Sequence, residues 1–153
     1  MNSLITFFGS FFYTGFFPVA PATFASFVFA ALYLIPGGEV IAGPVALVCT
    51  LVASIPIATR MELKYGNDSG HIVIDEVVGM QIVLVAASPT VAGVALGFFL
   101  FRVFDIIKPF PIRKSQDIPR GYGVVCDDVL AGIYVRVAMI ILSSFFPWIG
   151  TFA

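Results

Sequence analysis

Long apolar segments separated by short breaks dominate this sequence, and they limit the folds that the chain can adopt. Five of them lie at 22–36, 40–59, 72–87, 91–107 and 129–149. A straight helix needs about 20 apolar residues to cross a bilayer, so the longer segments can span it and the shorter ones can span it or lie shallow. Only 11% of the residues are charged, against roughly 25% in a soluble domain. We therefore predict an all-α, compact, polytopic membrane bundle of about five apolar helices, as one domain over 1–153.

The basic residues indicate how such a bundle is oriented. Apart from Arg136, they lie in the polar connections 60–71 and 108–128 or, like Arg102, near the end of the fourth segment. The positive-inside rule makes this face cytoplasmic. Arg136 lies about 12 Å deeper along the last helix than Asp128, where it is predicted to snorkel back to this face or to hold a lipid or a carboxylate. The phenylalanine-rich N-terminus is predicted to be an interfacial segment.

Carboxylates gather at the same predicted face. The residues expected there are Asp68, Asp75, Glu76, Asp105, Asp117, Asp127 and Asp128. Two adjacent pairs, 75–76 and 127–128, stand where apolar segments begin, which is also where acidic side chains cap helices and interact favourably with the helix dipole. Like charges in a poorly hydrated place repel each other, and a cation relieves that repulsion. Ionisable groups bordering a membrane are therefore candidates for function.

Two further stretches carry groups that suit an anion. Arg102, Asp105 and Lys108 recur at a spacing of three and share one helical face, which fits either a surface ion-pair ladder or a phosphate bound beside a metal. Thr23 follows Pro21 at the start of the first apolar helix, and the free N–H groups of a helix N-terminus favour anions. Ordinary helix capping accounts equally for that second pattern.

The ligand types restrict the chemistry. Many carboxylates, a single histidine and two widely separated cysteines favour Mg²⁺ over zinc or copper. Carboxylates beside arginine and lysine are suited to metal-assisted chemistry on a phosphate. The sequence has no phosphate-binding loop of the nucleotide-hydrolysing type. A net charge of -1 gives no reason to expect a nucleic-acid partner.

Four stretches in order along the chain resemble the motifs of the phosphatidylglycerophosphatase A family, bacterial membrane enzymes of phospholipid synthesis. They read "PVAPAT" (18–23), "DSGHIVIDE" (68–76), "FRVFDIIKPFPI" (101–112) and "RGYGVVCDDVLAG" (120–132). Three positions depart from the family pattern: Ala22 and Arg120 stand where the family has glycine, and Ser69 stands where it has proline. No departure removes a carboxylate.

The resemblance implies a Mg²⁺-dependent phosphatase that converts phosphatidylglycerophosphate in the bilayer to phosphatidylglycerol and inorganic phosphate. The expected location is the bacterial inner membrane, with the site facing the cytoplasm. The predicted catalytic residues are Asp75, Glu76, Asp105, Asp127 and Asp128. The predicted phosphate-binding residues are Arg102, Lys108 and Thr23, and the predicted metal ligands are Asp75, Glu76, Asp105, Asp128 and Asp68. Whether water or an aspartate is the nucleophile, and the oligomeric state, stay open.

Two other classes of function are compatible with this composition. A small cation transporter or channel subunit would also carry carboxylates, but near the bilayer midplane rather than at one face. A non-catalytic scaffold for a lipid-synthesis complex would show no turnover.

Overall fold

The computed structural model describes residues 3–67 and 69–152, and it is mostly helical, which confirms the all-α class. The helices are α1 (Ser3–Gly9), α2 (Pro21–Tyr33), α3 (Pro44–Tyr65), α4 (Ile74–Leu84), α5 (Val91–Ile107), α6 (Ile112–Ser115) and α7 (Gly121–Phe145). Short 3-10 helices lie at Thr14–Phe16, Gly38–Ala42 and Pro147–Ile149. Two-residue strands, β1 (Ser88–Pro89) and β2 (Gly150–Thr151), pair antiparallel.

The helix ends follow local sequence signals. Pro21 and Pro44 open α2 and α3, where the missing N–H of proline costs nothing. Thr90 caps α5, because its hydroxyl accepts a hydrogen bond from the N–H of Gly93 at 3.2 Å. Lys108 adopts a left-handed conformation and ends the same helix. The following residue is a proline, which cannot continue a helix.

Among the described helices, α3 is long and apolar enough to cross a membrane. Most of its surface is not covered by the rest of the chain, and Val45, Val48 and Val52 are exposed. The other predicted segments correspond to α2, α4, α5 and α7, but α4 has only 11 residues, or about 16 Å. The number of spans and the polytopic arrangement therefore stay predictions.

Helix α4 forms the centre of the fold. It packs against α2, α3, α5 and α7, and nearly all of its residues are buried. The serine at position 26 of α2 contacts the first turn of α4, and the hydroxyl of Tyr33 donates to the carbonyl of Ala87 just beyond its last turn. Helices α2 and α4 therefore run parallel, so that their N-terminal turns lie at the same end of the bundle.

Two glycines bring α4 and α7 unusually close together. A methyl group on Gly132 would lie 2.7 Å from the carbonyl oxygen of Gly79. A methyl group on Gly79 would lie 2.3 Å from the ring of Phe101 and 3.1 Å from the carbonyl oxygen of Asp128. Small residues allow helix backbones to approach in this way. The close packing places the acidic first turn of α4 beside the acidic second turn of α7.

Gly132→Ala should lower the free energy of unfolding by about 1–3 kcal/mol, because the added methyl group meets backbone that cannot move without separating the two helices. The measurement is the thermal unfolding midpoint of the detergent-solubilised protein. Gly70→Ala is the matched control, since its added carbon meets only the ring of Pro21 at 3.6 Å. Equal midpoints for the two variants would show that the α4–α7 contact is not close-packed.

Candidate active site

Five carboxylates converge where α4 begins, α5 ends and α7 enters its second turn. Asp75 and Glu76 lie in the first turn of α4, Asp105 in the last turn of α5, and Asp127 and Asp128 in α7. Each residue is at most 8% exposed. The fold thus collects at one end of the bundle acids that are up to 53 positions apart in the sequence (128 − 75).

Three of these acids are close enough together to bind the same metal ion. Glu76, Asp105 and Asp128 each offer one carboxylate oxygen, and these oxygens lie within 4.8 Å of one another. The other two acids flank this triad. The carboxylate of Asp75 accepts a hydrogen bond from the N–H of Glu76 at 3.0 Å, and that of Asp127 accepts one from the N–H of Asp128 at 3.1 Å. Asp75 also lies near enough to Asp127 and Asp128 for their negative charges to repel one another.

Two basic side chains are paired with the acids. Arg102 donates from Nη1 to Glu76 Oε2, and its Nη2 forms an ion pair with Asp105 Oδ2 at 3.1 Å. Lys108 donates to Asp127 Oδ2, and its Nζ lies 3.8 Å from Asp105 Oδ1. The Nε–H of Arg102 is buried and has no hydrogen-bond partner among the residues that the structure describes. Both cations predicted from the sequence are therefore in contact with the acidic set.

Lys108 is held in its charged form by these neighbours. Burial by itself would lower the pKa of its ammonium group, but the hydrogen bond to Asp127 and the charges of Asp127 and Asp105 raise that pKa above its ordinary value. A lysine with a raised pKa is protonated throughout the physiological range. It therefore acts here as a fixed positive charge and not as a proton acceptor.

The charge balance suits a divalent cation. Five buried carboxylates face one arginine and one lysine among the described residues, so ionising all five would leave an excess of negative charge that burial makes costly. Oxygen ligands from the triad are the type that Mg²⁺ prefers. The residues present thus fit the metal that the sequence predicts, and its presence there stays a prediction.

Ser26 is a contact of this cluster that the sequence did not predict. Its hydroxyl donates to Glu76 Oε2 at 3.0 Å, and the residue is fully buried. The predicted phosphate ligand Thr23 lies half-buried in the first turn of α2, and Ser26, one helical turn later, makes the contact between α2 and the acids. The spacing of three in "TFAS" was the available signal, since it places both hydroxyls on the same helical face.

Two other predicted residues lie away from the observed cluster or cannot be placed. Asp68, a predicted metal ligand, lies outside the described residues. Arg136 does not snorkel towards the acidic end, so that part of its prediction is wrong, and the alternative that it holds a lipid or a carboxylate stays a prediction. Its guanidinium donates to the carbonyl of Val83, near the C-terminal end of α4, and lies 5.7 Å from the ring centre of Phe152. A carbonyl at a helix C-terminus attracts a cation, which explains this direction.

The fold and the site together define a class of protein. A helical bundle with many exposed apolar side chains collects buried carboxylates, an arginine and a lysine at one end, which are the side chains found in enzymes that act on phosphate groups. The comparison with known families identifies the group within that class. The chain belongs to the phosphatidylglycerophosphatase A family, whose model matches residues 7–143. The predicted family and the predicted enzyme class, a phosphatidylglycerophosphatase, are confirmed by this membership.

Three curated relatives are similar to the chain. A Bacteroides thetaiotaomicron protein, provisionally named a phosphatidylinositol-3-phosphatase, is 40% identical over 135 residues, which cover 82% of this chain and 85% of that protein. Phosphatidylglycerophosphatase A of Haemophilus influenzae is 47% identical over 76 residues, 48% of this chain and 46% of the relative. The Escherichia coli enzyme of the same name is 38% identical over 84 residues, which cover 53% of this chain and 48% of the relative. The alignments thus span about half the length of these two enzymes. No solved structure matches the chain.

The structure also explains one departure from the family motifs. Arg120 has a φ of 64° and a ψ of -169° just before α7 begins. Glycine adopts this region readily, whereas a residue with a side chain is strained there by about 1–3 kcal/mol. The glycine of the family motif is therefore the residue that this backbone favours.

Proposed function

We propose that the protein hydrolyses phosphatidylglycerophosphate to phosphatidylglycerol and inorganic phosphate in a Mg²⁺-dependent reaction at the cytoplasmic face of a bacterial inner membrane. The main support is the convergence of Glu76, Asp105 and Asp128 from three different helices, with Arg102 and Lys108 beside them. Family membership supports the lipid substrate. The predicted cytoplasmic face rests on the distribution of lysine and arginine.

The acidic residues would hold the metal. Glu76, Asp105 and Asp128 are the proposed ligands, with Asp75 and Asp68 as further candidates. When bound, Mg²⁺ would polarise the phosphomonoester and either lower the pKa of the attacking water or position it. The carboxylates that do not bind the metal can accept a proton from the nucleophile, and an aspartate as the nucleophile itself stays the alternative.

Arg102 and Lys108 would bind the substrate phosphate. In the structure they neutralise Glu76, Asp105 and Asp127, so both cations already point into the acidic cluster. The Nε–H of Arg102, which has no partner in the described part of the chain, is a buried donor that a phosphate oxygen could satisfy after a small side-chain movement. Guanidinium and ammonium groups on the phosphate oxygens would stabilise the charge that develops in the transition state.

Exposed apolar residues beside the site favour a lipid substrate. Ile106, Ile107 and Phe110 are each at least 68% exposed, and each lies within two positions of the site residues Asp105 or Lys108. Contiguous exposed apolar surface marks contact with a membrane or another apolar partner. A head group in the acidic cluster would leave its acyl chains next to this surface.

Phosphate release from purified protein tests the proposal. We expect release from phosphatidylglycerophosphate with Mg²⁺, its loss in EDTA, and its return when excess Mg²⁺ is added. Phosphatidylinositol 3-phosphate and phosphatidic acid belong in the same assay, because one relative is named for the former type of lipid. Turnover confined to phosphatidylinositol 3-phosphate would replace the proposed substrate, and turnover in EDTA would contradict the metal. A cation transporter is not favoured, since the acids cluster at one end of the bundle.

Lys108→Ala should lower kcat/KM about 10- to 100-fold, less than the loss of an acid, because Arg102 still neutralises part of the cluster. The measurement is phosphate release at saturating Mg²⁺. Lys114→Ala removes an exposed lysine from α6 and should leave the rate unchanged. Equal rates for wild type and Lys108→Ala would mean that Lys108 only anchors the end of α5 at the interface.

A further inference from the structure

Ser26 is a buried hydroxyl that contacts one proposed metal ligand and does not itself belong to the acidic set. Its Oγ lies 3.0 Å from Glu76 Oε2 and also 3.0 Å from the carbonyl oxygen of Ala22, one turn earlier in α2. A serine hydroxyl has one proton to donate, so these two acceptors compete for it. An ionised carboxylate accepts a stronger hydrogen bond than a neutral carbonyl does, which favours Glu76.

The hydrogen bonds to Glu76 converge on one of its two oxygens. Arg102 and Ser26 both donate to Oε2, and neither bond uses Oε1. Fixing one oxygen of a carboxylate sets the direction of the other. Arg102 is shared with Asp105 and is the proposed phosphate ligand, whereas Ser26 is carried by the rigid frame of α2. Ser26 can therefore keep Glu76 in place when Arg102 turns towards a phosphate.

We propose that Ser26 is a positioning residue that orients the Glu76 carboxylate for the divalent cation, which makes α2 part of the site. This inference rests on the proposed function. A group that holds a metal-ligating carboxylate removes the cost of ordering that side chain when the metal binds. Loss of such a partner commonly weakens metal affinity or activity about 10- to 100-fold.

Metal binding without substrate tests this role directly. Ser26→Ala should raise the dissociation constant for Mn²⁺, measured by electron paramagnetic resonance on the lipid-free protein in detergent, by about 10-fold or more. The Mg²⁺ concentration that gives half-maximal phosphate release should rise by a similar factor. The KM for the lipid at saturating Mg²⁺ should stay unchanged, because Ser26 does not touch the phosphate in this arrangement.

Ser54→Ala is the matched control. Ser54 is also a fully buried serine within a helix, but its hydroxyl donates to the carbonyl of Leu51 at 2.8 Å. We expect its affinity for Mn²⁺ to equal that of the wild type. Equal shifts in the two variants would reflect a general effect of losing a buried hydroxyl and would overturn the positioning role.

The remaining outcomes separate this inference from the proposed function. If the wild type is active and Ser26→Ala binds Mn²⁺ as tightly as the wild type does, only the positioning role is overturned. In another outcome, the wild type binds Mn²⁺ but hydrolyses none of the lipid phosphates, and Ser26→Ala binds Mn²⁺ more weakly. This result overturns the proposed reaction and supports the positioning role. A wild type that is active without any divalent cation overturns both the Mg²⁺ dependence and the role of Ser26.

Discussion

Asp128→Asn should reduce phosphate release by about 1,000-fold or more while the protein stays folded. Asp128 belongs to the triad whose oxygens lie within 4.8 Å of one another, and it is only 3% exposed. Asparagine keeps the size of the side chain but replaces the carboxylate by a neutral amide, which is a weaker ligand and attracts the cation less. The measurements are kcat/KM for phosphate release and the dissociation constant for Mn²⁺.

The fold itself should tolerate this change, since removing one of several buried like charges relieves repulsion. We therefore expect an unfolding midpoint at or above that of the wild type in the absence of metal. Asp117→Asn makes the same chemical change at an exposed position after α6 and should keep full activity. An active Asp128→Asn variant would remove the acidic triad from the reaction.

Arg102→Ala should lower both activity and stability. The guanidinium pairs with Glu76 and Asp105, and its side chain is only 11% exposed. Removing one partner of a buried ion pair leaves uncompensated charge, which costs about 3 kcal/mol or more. The loss of a phosphate-binding fork should reduce kcat/KM by about 100- to 1,000-fold. The measurements are the unfolding midpoint and phosphate release.

The metal makes this prediction sharper. If a divalent cation binds the triad, it supplies positive charge where the arginine is lost, so Mg²⁺ should raise the unfolding midpoint of Arg102→Ala more than that of the wild type. Activity should not recover, because the phosphate still lacks its fork. Arg113→Ala removes an exposed arginine from α6 and should change neither quantity. An unstable variant that regains full activity in Mg²⁺ would limit Arg102 to a structural role.

The local sequence indicated the five apolar helices and the residue types of the site, but not all of the helix ends. Helix α3 continues to Tyr65 and α7 begins at Gly121, inside the two stretches predicted as polar connections. Apolar segments bounded by proline, glycine and polar stretches are recognisable because helix formation depends on neighbouring residues, and α5 begins and ends at the predicted residues 91 and 107. The spacing of Arg102, Asp105 and Lys108 fixed their common face for the same reason. The carboxylates, together with Arg102 and Lys108, indicated phosphate chemistry from residue type alone.

Contacts between helices required the tertiary structure. Ser26 meets Glu76 across 50 residues of sequence, and only the parallel packing of α2 and α4 brings them together. Arg136 donates a hydrogen bond to a backbone carbonyl of α4 and so points towards the opposite end of the bundle. The sequence of α7 alone does not indicate this direction. Composition also could not separate an apolar helix with an exposed surface, such as α3, from the short central helix α4 that is covered by its neighbours.

The sequence by itself thus determined the all-α class, the family and the identity of the acidic and basic groups, because these depend on residue type and local spacing. Only the tertiary structure decided which three carboxylates lie close enough to bind one metal ion, and which side chains contact each of them. The physical reason is the close approach of α4 and α7 at Gly79 and Gly132, which depends on shape complementarity between distant segments.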